Sequence, residues 1–446
     1  MRYRYRSDDE LKDSGVEWID KIPKDWERNK LKHELKFSVG ATPSTSNKDF
    51  FEGENIWVTI SDLKGKYCGE SKTKITQEAI KSTNMKKVPC NSLLYSFKLS
   101  VGQVAFTTKE LYTNEAIASF YPNEKYNLNF WYYALKTYLI ENANENIYGA
   151  KLLNQDLINN ANVFVPNKLE QEKIANFLDK KTSQFDLIIS KKEELIKKLE
   201  EAKKSLISEV ITGKVKVVKT DDGYELVKRK RDEMKDSGVE WLGEIPKDWN
   251  IIKLKYIGEA ITGLTYSSND IVGENEGTLV LRSSNVQNGR IVLNDNVYVN
   301  MDIPKKLITR EGDIIICSRN GSRALIGKNA CIRRKDAGKS FGAFMTIFRS
   351  RYYEYLNFVF NSHIFKAQSG SFLTSTINQL TIGNLNSFII ALPNEKEQDI
   401  IVKYLCNKTL KYNSIIDKLK GQIEKLKEAK QSLISEAVTG KIEILD

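Results

Sequence analysis

What most limits how this chain can fold is an internal duplication, because the same segments occur twice about half a chain apart. DSGVEWIDKIPKDW, from Asp13 to Trp26, returns as DSGVEWLGEIPKDW, from Asp236 to Trp249, displaced by 223 residues. KLEEAKKSLISEVITGK, from Lys198 to Lys214, returns as KLKEAKQSLISEAVTGK, from Lys425 to Lys441, displaced by 227. Between these ends, residues 27–165 and 250–392 resemble each other only in outline. A length of 446 residues exceeds what one hydrophobic core usually supports. Constant ends framing variable middles therefore read as two similar halves, each with its own globular domain.

The repeated carboxy-terminal segments carry a heptad pattern, which predicts long helices that pair along one apolar seam. In the first, Leu178, Phe185, Leu199 and Leu206 fall at d, and Ile189, Ile196 and Val210 at a. In the second, Leu405, Tyr412, Leu419, Leu426 and Leu433 fall at d, and Ile416, Ile423 and Ala437 at a. Lys203 and Lys430 interrupt equivalent a positions. Each helix is expected after a proline and an acid-glutamine pair, Pro166 with Glu170-Gln171 and Pro393 with Glu397-Gln398. Each is expected to end at Thr-Gly-Lys, with Gly213 and Gly440 as C-caps. Periodicity alone leaves a homodimeric coiled coil open. The tandem copy favours antiparallel pairing within the chain and a pseudo-twofold internal repeat. About 33 residues in register make a spacer of ~50 Å, against ~34 Å for one turn of B-DNA.

The middles read as mixed α/β, with short β-branched runs at 56–60, 279–281 and 313–317 and aromatic-rich helical stretches at 130–139 and 352–360. The fold class expected is α+β, two mixed α/β globular domains separated by two long antiparallel helices. In the second middle, LRSSNVQNGR and GDIIICSRNGSRALIGK place Arg282, Ser283, Asn285, Arg319, Asn320, Ser322 and Arg323 just after apolar runs. Such side chains read base edges, since Arg bonds guanine bidentately, Asn bonds adenine, and Ser offers either sense of hydrogen bond. LLYSFKLSVGQVAF puts Lys98 and Gln103 in corresponding places of the first middle. Further polar patches precede the helices: Lys151, Asn154 and Gln155, then Thr374, Ser375, Asn378 and Gln379. These serve equally well as caps of local backbone, and any one loop residue reads by default as solvated. Lys and Arg number 69 against 58 acidic residues, and the net charge of +11 favours an anionic partner without identifying one.

An enzyme, such as a methyltransferase fused to its recognition domain, is a different class. No Asn/Asp-Pro-Pro-aromatic loop is present, because all eight prolines are isolated, and no GxG occurs. Five cysteines never spaced as CxxC, with only His33 and His363 beside them, disfavour a zinc cluster. A coiled-coil scaffold that binds protein alone stays open; a salt-dependent shift of duplex DNA separates the two readings. The absence of a long apolar run or a secretory signal at the amino terminus leads us to expect a cytoplasmic protein.

The DSGVEWI-x-x-IP-x-x-W opening, with Trp18 and Trp26 matched by Trp241 and Trp249, resembles type I restriction-modification specificity subunits. So do GDIIICSRNGS, LP-x-x-x-EQ before a long helix, and the paired SLISE-x-x-TGK ends. The resemblance covers nearly the whole chain. It implies a non-catalytic subunit whose two target recognition domains, 27–165 and 250–392, each read half of a split site in double-stranded DNA. Segments 1–26 and 215–249 are then the repeated openings, and 166–214 and 393–446 the spacer helices. It also implies that these helices dock two methyltransferase subunits, that restriction endonuclease and translocase subunits join them, and that no membrane is involved. S-adenosylmethionine, ATP and Mg are then cofactors of the partners, with none in this chain.

Overall fold

A computed structural model describes residues 2–145, 149, 151–274, 276–371 and 379–445. The chain divides into two compact units, residues 1–192 with 421–446 and residues 193–420. The fold class is α+β, with mixed α/β domains, two long helices and an internal structural repeat.

In the first unit a five-stranded sheet runs in the order Phe37–Val39, Ile117–Phe120, Leu93–Ser96, Val104–Thr107, Tyr67–Cys68. Leu93–Ser96 and Ile117–Phe120 are buried along their whole length, so they read as apolar runs without alternation. The helix Leu128–Glu141 buries Phe130, Trp131, Ala134, Leu135, Tyr138 and Leu139 in the same core. The second unit repeats this plan in a four-stranded sheet, Glu259–Thr262, Met345–Arg349, Ile314–Cys317, Asn329–Cys331. The correspondence extends to register, for Leu93 opposes Phe120 as Ile314 opposes Phe348. A second, smaller sheet also recurs, with Tyr112–Thr113 parallel to Asn55–Val58 in one unit and Ser340–Phe341 parallel to Thr278–Leu281 in the other.

The long helices are Lys168–Ile211 and Glu395–Val438, 44 residues each. They start earlier than the heptads suggest, so the acid-glutamine pairs lie inside the first turn and not ahead of it. Asn167 and Asn394 cap these ends, their side-chain oxygens accepting from Glu170 N and Glu397 N at 3.0 Å each. Gln171 and Gln398 turn back to donate to the carbonyls of Pro166 and Pro393 at 2.9 and 2.7 Å.

Within the first unit the helices run antiparallel, since Asp186 accepts from Lys430 at 2.6 Å while Lys192 donates to Gln422 at 2.7 Å. Leu178, Ile189, Ile423, Leu433 and Ala437 are buried there, with Phe185 and Leu426 half-buried. Within the second unit Lys203 donates to Asn413 at 2.9 Å. Leu405, Ile416 and Val210 are buried, and Ile196, Leu199, Leu206, Tyr412 and Leu419 half-buried.

The two copies exchange their ends. Gly440, closing the second long helix at φ +73°, sits so close to the first opening segment that a Cβ there would lie 2.4 Å from Pro23 Cδ and 3.2 Å from Trp26. Gly213, closing the first helix at φ +72°, meets Pro246 and Trp249 of the second opening in the same way. Tyr138 donates to the carbonyls of Phe164, at 2.9 Å, and Val438, and Tyr355 to those of Ala391 and Ile211 at 3.0 and 3.2 Å. The terminal strands Arg2–Tyr5 and Ile442–Leu445 pair antiparallel, as do Val215–Thr220 and Gly223–Lys228 in the middle of the chain. A connected hairpin in one unit thus stands where the other pairs the two ends of the chain.

Candidate nucleic-acid interface

In the second unit, residues 318–328 connect the antiparallel strands Ile314–Cys317 and Asn329–Cys331. The strands fix the loop's ends; Ser318 is buried, Asn320 and Lys328 are half-buried, and Arg319, Ser322 and Arg323 are exposed. Arg319 is exposed, its guanidinium lies 5.1 Å from the Phe344 ring centre, and it is in no ion pair among the described residues. Phe344 is itself 57% exposed. Asn320 donates to Ser283 Oγ at 3.4 Å and accepts from Ser322 N at 2.9 Å. Cys317, whose thiol burial pushes above its ordinary pKa, stays neutral and donates to the same Ser283 Oγ at 3.4 Å. Lys328 donates to Ser283 O at 3.2 Å, so Ser283, Asn320 and Lys328 form one polar cluster beside Arg319.

Not every sequence candidate belongs to that cluster. Arg282 is held by Asp295, donating to its carboxylate at 2.8 Å and its carbonyl at 2.7 Å. Asn285 is fully buried; its amide donates to Val292 O and Asn294 O at 3.1 Å each, and its oxygen accepts from Arg282 N at 2.9 Å. The expectation that Asn285 reads a base is corrected by this burial, because its donors and acceptor are spent on shaping the turn. Ser322 and Arg323 are exposed, with Arg323 donating to Gly370 O at 3.4 Å. Asn378, Thr374 and Ser375 lie outside the described residues, while Gln379 forms a bridge with Arg319.

In the first unit the equivalent loop joins Leu93–Ser96 to Val104–Thr107. Lys98 and Gln103 are both exposed on it, and Lys98 Nζ lies 5.8 Å from the Phe97 ring centre. Between them stands Leu99, 95% exposed and at φ +60°, a conformation that costs a branched side chain free energy. Sequence reasoning passed over Leu99, Phe344 and Lys328, because apolar residues and a lysine near strands read as core and solvated surface. Lys151 belongs to another hairpin and is ion-paired with Glu145 at 2.7 Å. Asn154 caps the helix Gln155–Asn160, accepting from Leu157 N at 2.8 Å. Among the described residues no cluster of His, Cys, Asp and Glu could hold a metal ion, and no helix is long and apolar enough to cross a membrane.

The sequence pattern of the type I restriction modification DNA specificity domain matches this chain twice, over residues 23–198 and 246–425. The chain belongs to this family. Each match takes in one of the two polar loops and much of one long helix. The type I restriction enzyme MjaIX specificity subunit of Methanocaldococcus jannaschii is 24% identical, the alignment covering 99% of this chain and 98% of that protein. The StySPI specificity subunit of Salmonella potsdam is 27% identical over 44% of each chain. A solved chain from work on complex assembly and conformational transition of the type I R-M system superimposes with a TM-score of 0.68. It is 14% identical, with 94% of this chain and 99% of that one covered, and shares the fold. This chain is a specificity subunit of a type I restriction-modification system.

Proposed function

We propose that the chain is the non-catalytic reader of a bipartite site in double-stranded DNA. Residues 27–165 and 250–392 each read one half-site. The observation that carries this reading is the pair of polar loops at equivalent ends of equivalent sheets, with exposed Lys98, Leu99 and Gln103 in one unit and exposed Arg319, Ser322 and Arg323 in the other. Arg319, in no ion pair among the described residues and steadied against Phe344, suits bidentate bonding to guanine O6 and N7. Lys98 offers a single point charge, and Leu99 an apolar tip that suits a thymine methyl.

The long helices are the docking surface for two methyltransferase subunits, with restriction endonuclease and translocase subunits joining that core. Ile188 and Ile415, equivalent positions on the two helices, are 43% and 47% exposed and lie off the heptad seam, as a surface covered by a partner would have them. Methyl transfer and cleavage, with S-adenosylmethionine, ATP and Mg, belong to those partners, and the complex works in the cytoplasm.

The test is strand-specific mapping of adenine methylation in cells with and without the chain, and in cells where residues 27–165 are exchanged for those of a relative. One split motif that depends on the chain, with one half altered by the exchange, is the expected result. No dependence on the chain, or alteration of both halves, overturns it.

A further inference from the structure

The two long helices carry the same interruption of their apolar seam, but its partner differs. Lys430 faces Asp186 across the helix pair of the first unit, at 2.6 and 2.7 Å from its two carboxylate oxygens. Lys203, the equivalent residue of the second unit, faces Asn413, the equivalent of Asp186, at 2.9 Å. An amide thus stands where the other copy has a carboxylate, and among the described residues Lys203 forms no ion pair across the helix pair. Other cations gather around it. A cleft of about 800 Å³ between the helices and the recognition domain of this unit is lined by Lys203, Lys204, Lys420, Arg290, Lys328 and Lys366, against Glu200 and Asp417. None of the six is in an ion pair among the described residues. Burial lowers the Lys203 pKa; Lys204, Lys420 and Arg290 lower it further, and Glu200 opposes them.

Like charges brought together in this way raise the free energy of the free protein and are relieved by a bound anion. One lining residue indicates which anion. Lys328 donates to Ser283 O, and Ser283 Oγ accepts from Asn320 of the 318–328 loop, so the cleft runs on from the polar cluster to which we assign base reading. We propose that the cleft around Lys203, Lys204, Arg290 and Lys420 seats backbone phosphates of the duplex beside the half-site read by the second domain, adding affinity without sequence preference. This rests on the reading of the chain as a DNA reader.

Asn413→Asp is the sharpest test, because it copies into the second unit the Lys430–Asp186 pair that the first unit already holds, and so should leave folding intact or improve it. Lys420→Gln, at an exposed position, is the second variant. The full chain is assembled with its methyltransferase subunits, and binding to a cognate and an unrelated duplex is followed over a salt series. Each variant should weaken binding to both duplexes about fivefold at 0.15 M salt and make the salt slope shallower by about one, with the recognised motif unchanged. Unchanged slopes in both variants, with melting as in the wild type, overturn the proposal. Lost assembly with the methyltransferase at an unchanged slope also overturns it, and assigns the cleft to an acidic protein surface. If the wild-type complex binds no duplex, the reading beneath the proposal has failed.

Discussion

The indole Nε1 of Trp249 donates to Glu397 Oε2 at 3.0 Å, and the other oxygen of that carboxylate receives Arg229. Trp26, Glu170 and Arg6 repeat the arrangement in the first unit, at 3.1 and 2.7 Å. The repeated IPKDW and EQ motifs, far apart in sequence, are thus the two halves of one contact that ties an opening segment to the first turn of a long helix. Trp249 is 1% exposed and the Arg229 side chain 5%, so water cannot replace what is removed. Glu397→Ala should destabilise the second unit by about 3 kcal/mol, because it strands a buried guanidinium. Trp249→Phe, losing one hydrogen bond to a charged acceptor, should cost about 1.5–3 kcal/mol. Urea unfolding checks both, and a wild-type midpoint for Glu397→Ala would contradict the account.

Gly440→Ala and Gly213→Ala should each cost about 2–4 kcal/mol, combining left-handed backbone strain with a collision against Pro23 or Pro246. Gly421 offers the contrast, since it lies inside a long helix with nothing within 4 Å of an added Cβ. Gly421→Ala should raise stability by about 1 kcal/mol through helix propensity alone. Thermal melting of the three variants tests the argument, which fails if all three shift in the same direction.

Lys136 makes the stability of the first unit depend on pH. Burial, then Lys430 and Lys66, push its pKa down to about 8 against the pull of Asp186, while its ammonium lies 4.3 Å from the Tyr132 ring centre. A lysine with a lowered folded pKa binds more protons unfolded than folded, so stability should rise as pH climbs from about 8 towards the ordinary lysine value. Lys136→Met should abolish that rise and stabilise the protein at pH 7 by about 1 kcal/mol, discounted for partial exposure. Denaturant midpoints from pH 7 to 10 give the comparison, and parallel curves for the two proteins would exclude Lys136 as the source.

Much of this fold was legible because duplication and heptad spacing are written in one dimension. Leu178, Ile189, Ile416 and Leu433 are buried as their heptad positions imply, and Gly213 and Gly440 close the helices. The helix starts were misplaced because Glu170 and Glu397 look like solvated charge until their partners, more than a hundred residues away, are known. The interface was less legible for a related reason. Arg282 and Arg319 have the same chemistry and similar surroundings in sequence, and only the fold reveals that Asp295 has claimed one of them. Asn285 likewise could not be told from a reader until its burial was seen.

That difference between the two arginines gives the last prediction. Arg319 is exposed, without an acid partner among the described residues and steadied by Phe344, so its donors are available to a base; Arg282 has already spent donors on the Asp295 carboxylate and carbonyl. Arg319→Ala should therefore lower discrimination at one guanine of the second half-site by about 1–3 kcal/mol and leave the first half-site unchanged. Arg282→Ala should release the 282–295 segment and weaken binding through stability, without a preference for any one base. Phe344→Ala, which removes the support and keeps the guanidinium, should relax the same guanine position by a smaller amount, because the arginine then loses side-chain freedom on binding that it had already given up in the wild type. Methylation of a plasmid set in which each base of the second half-site is varied in turn measures all three. Equal loss on every plasmid for Arg319→Ala would make that arginine a phosphate contact and remove it from the reading loop's base contacts.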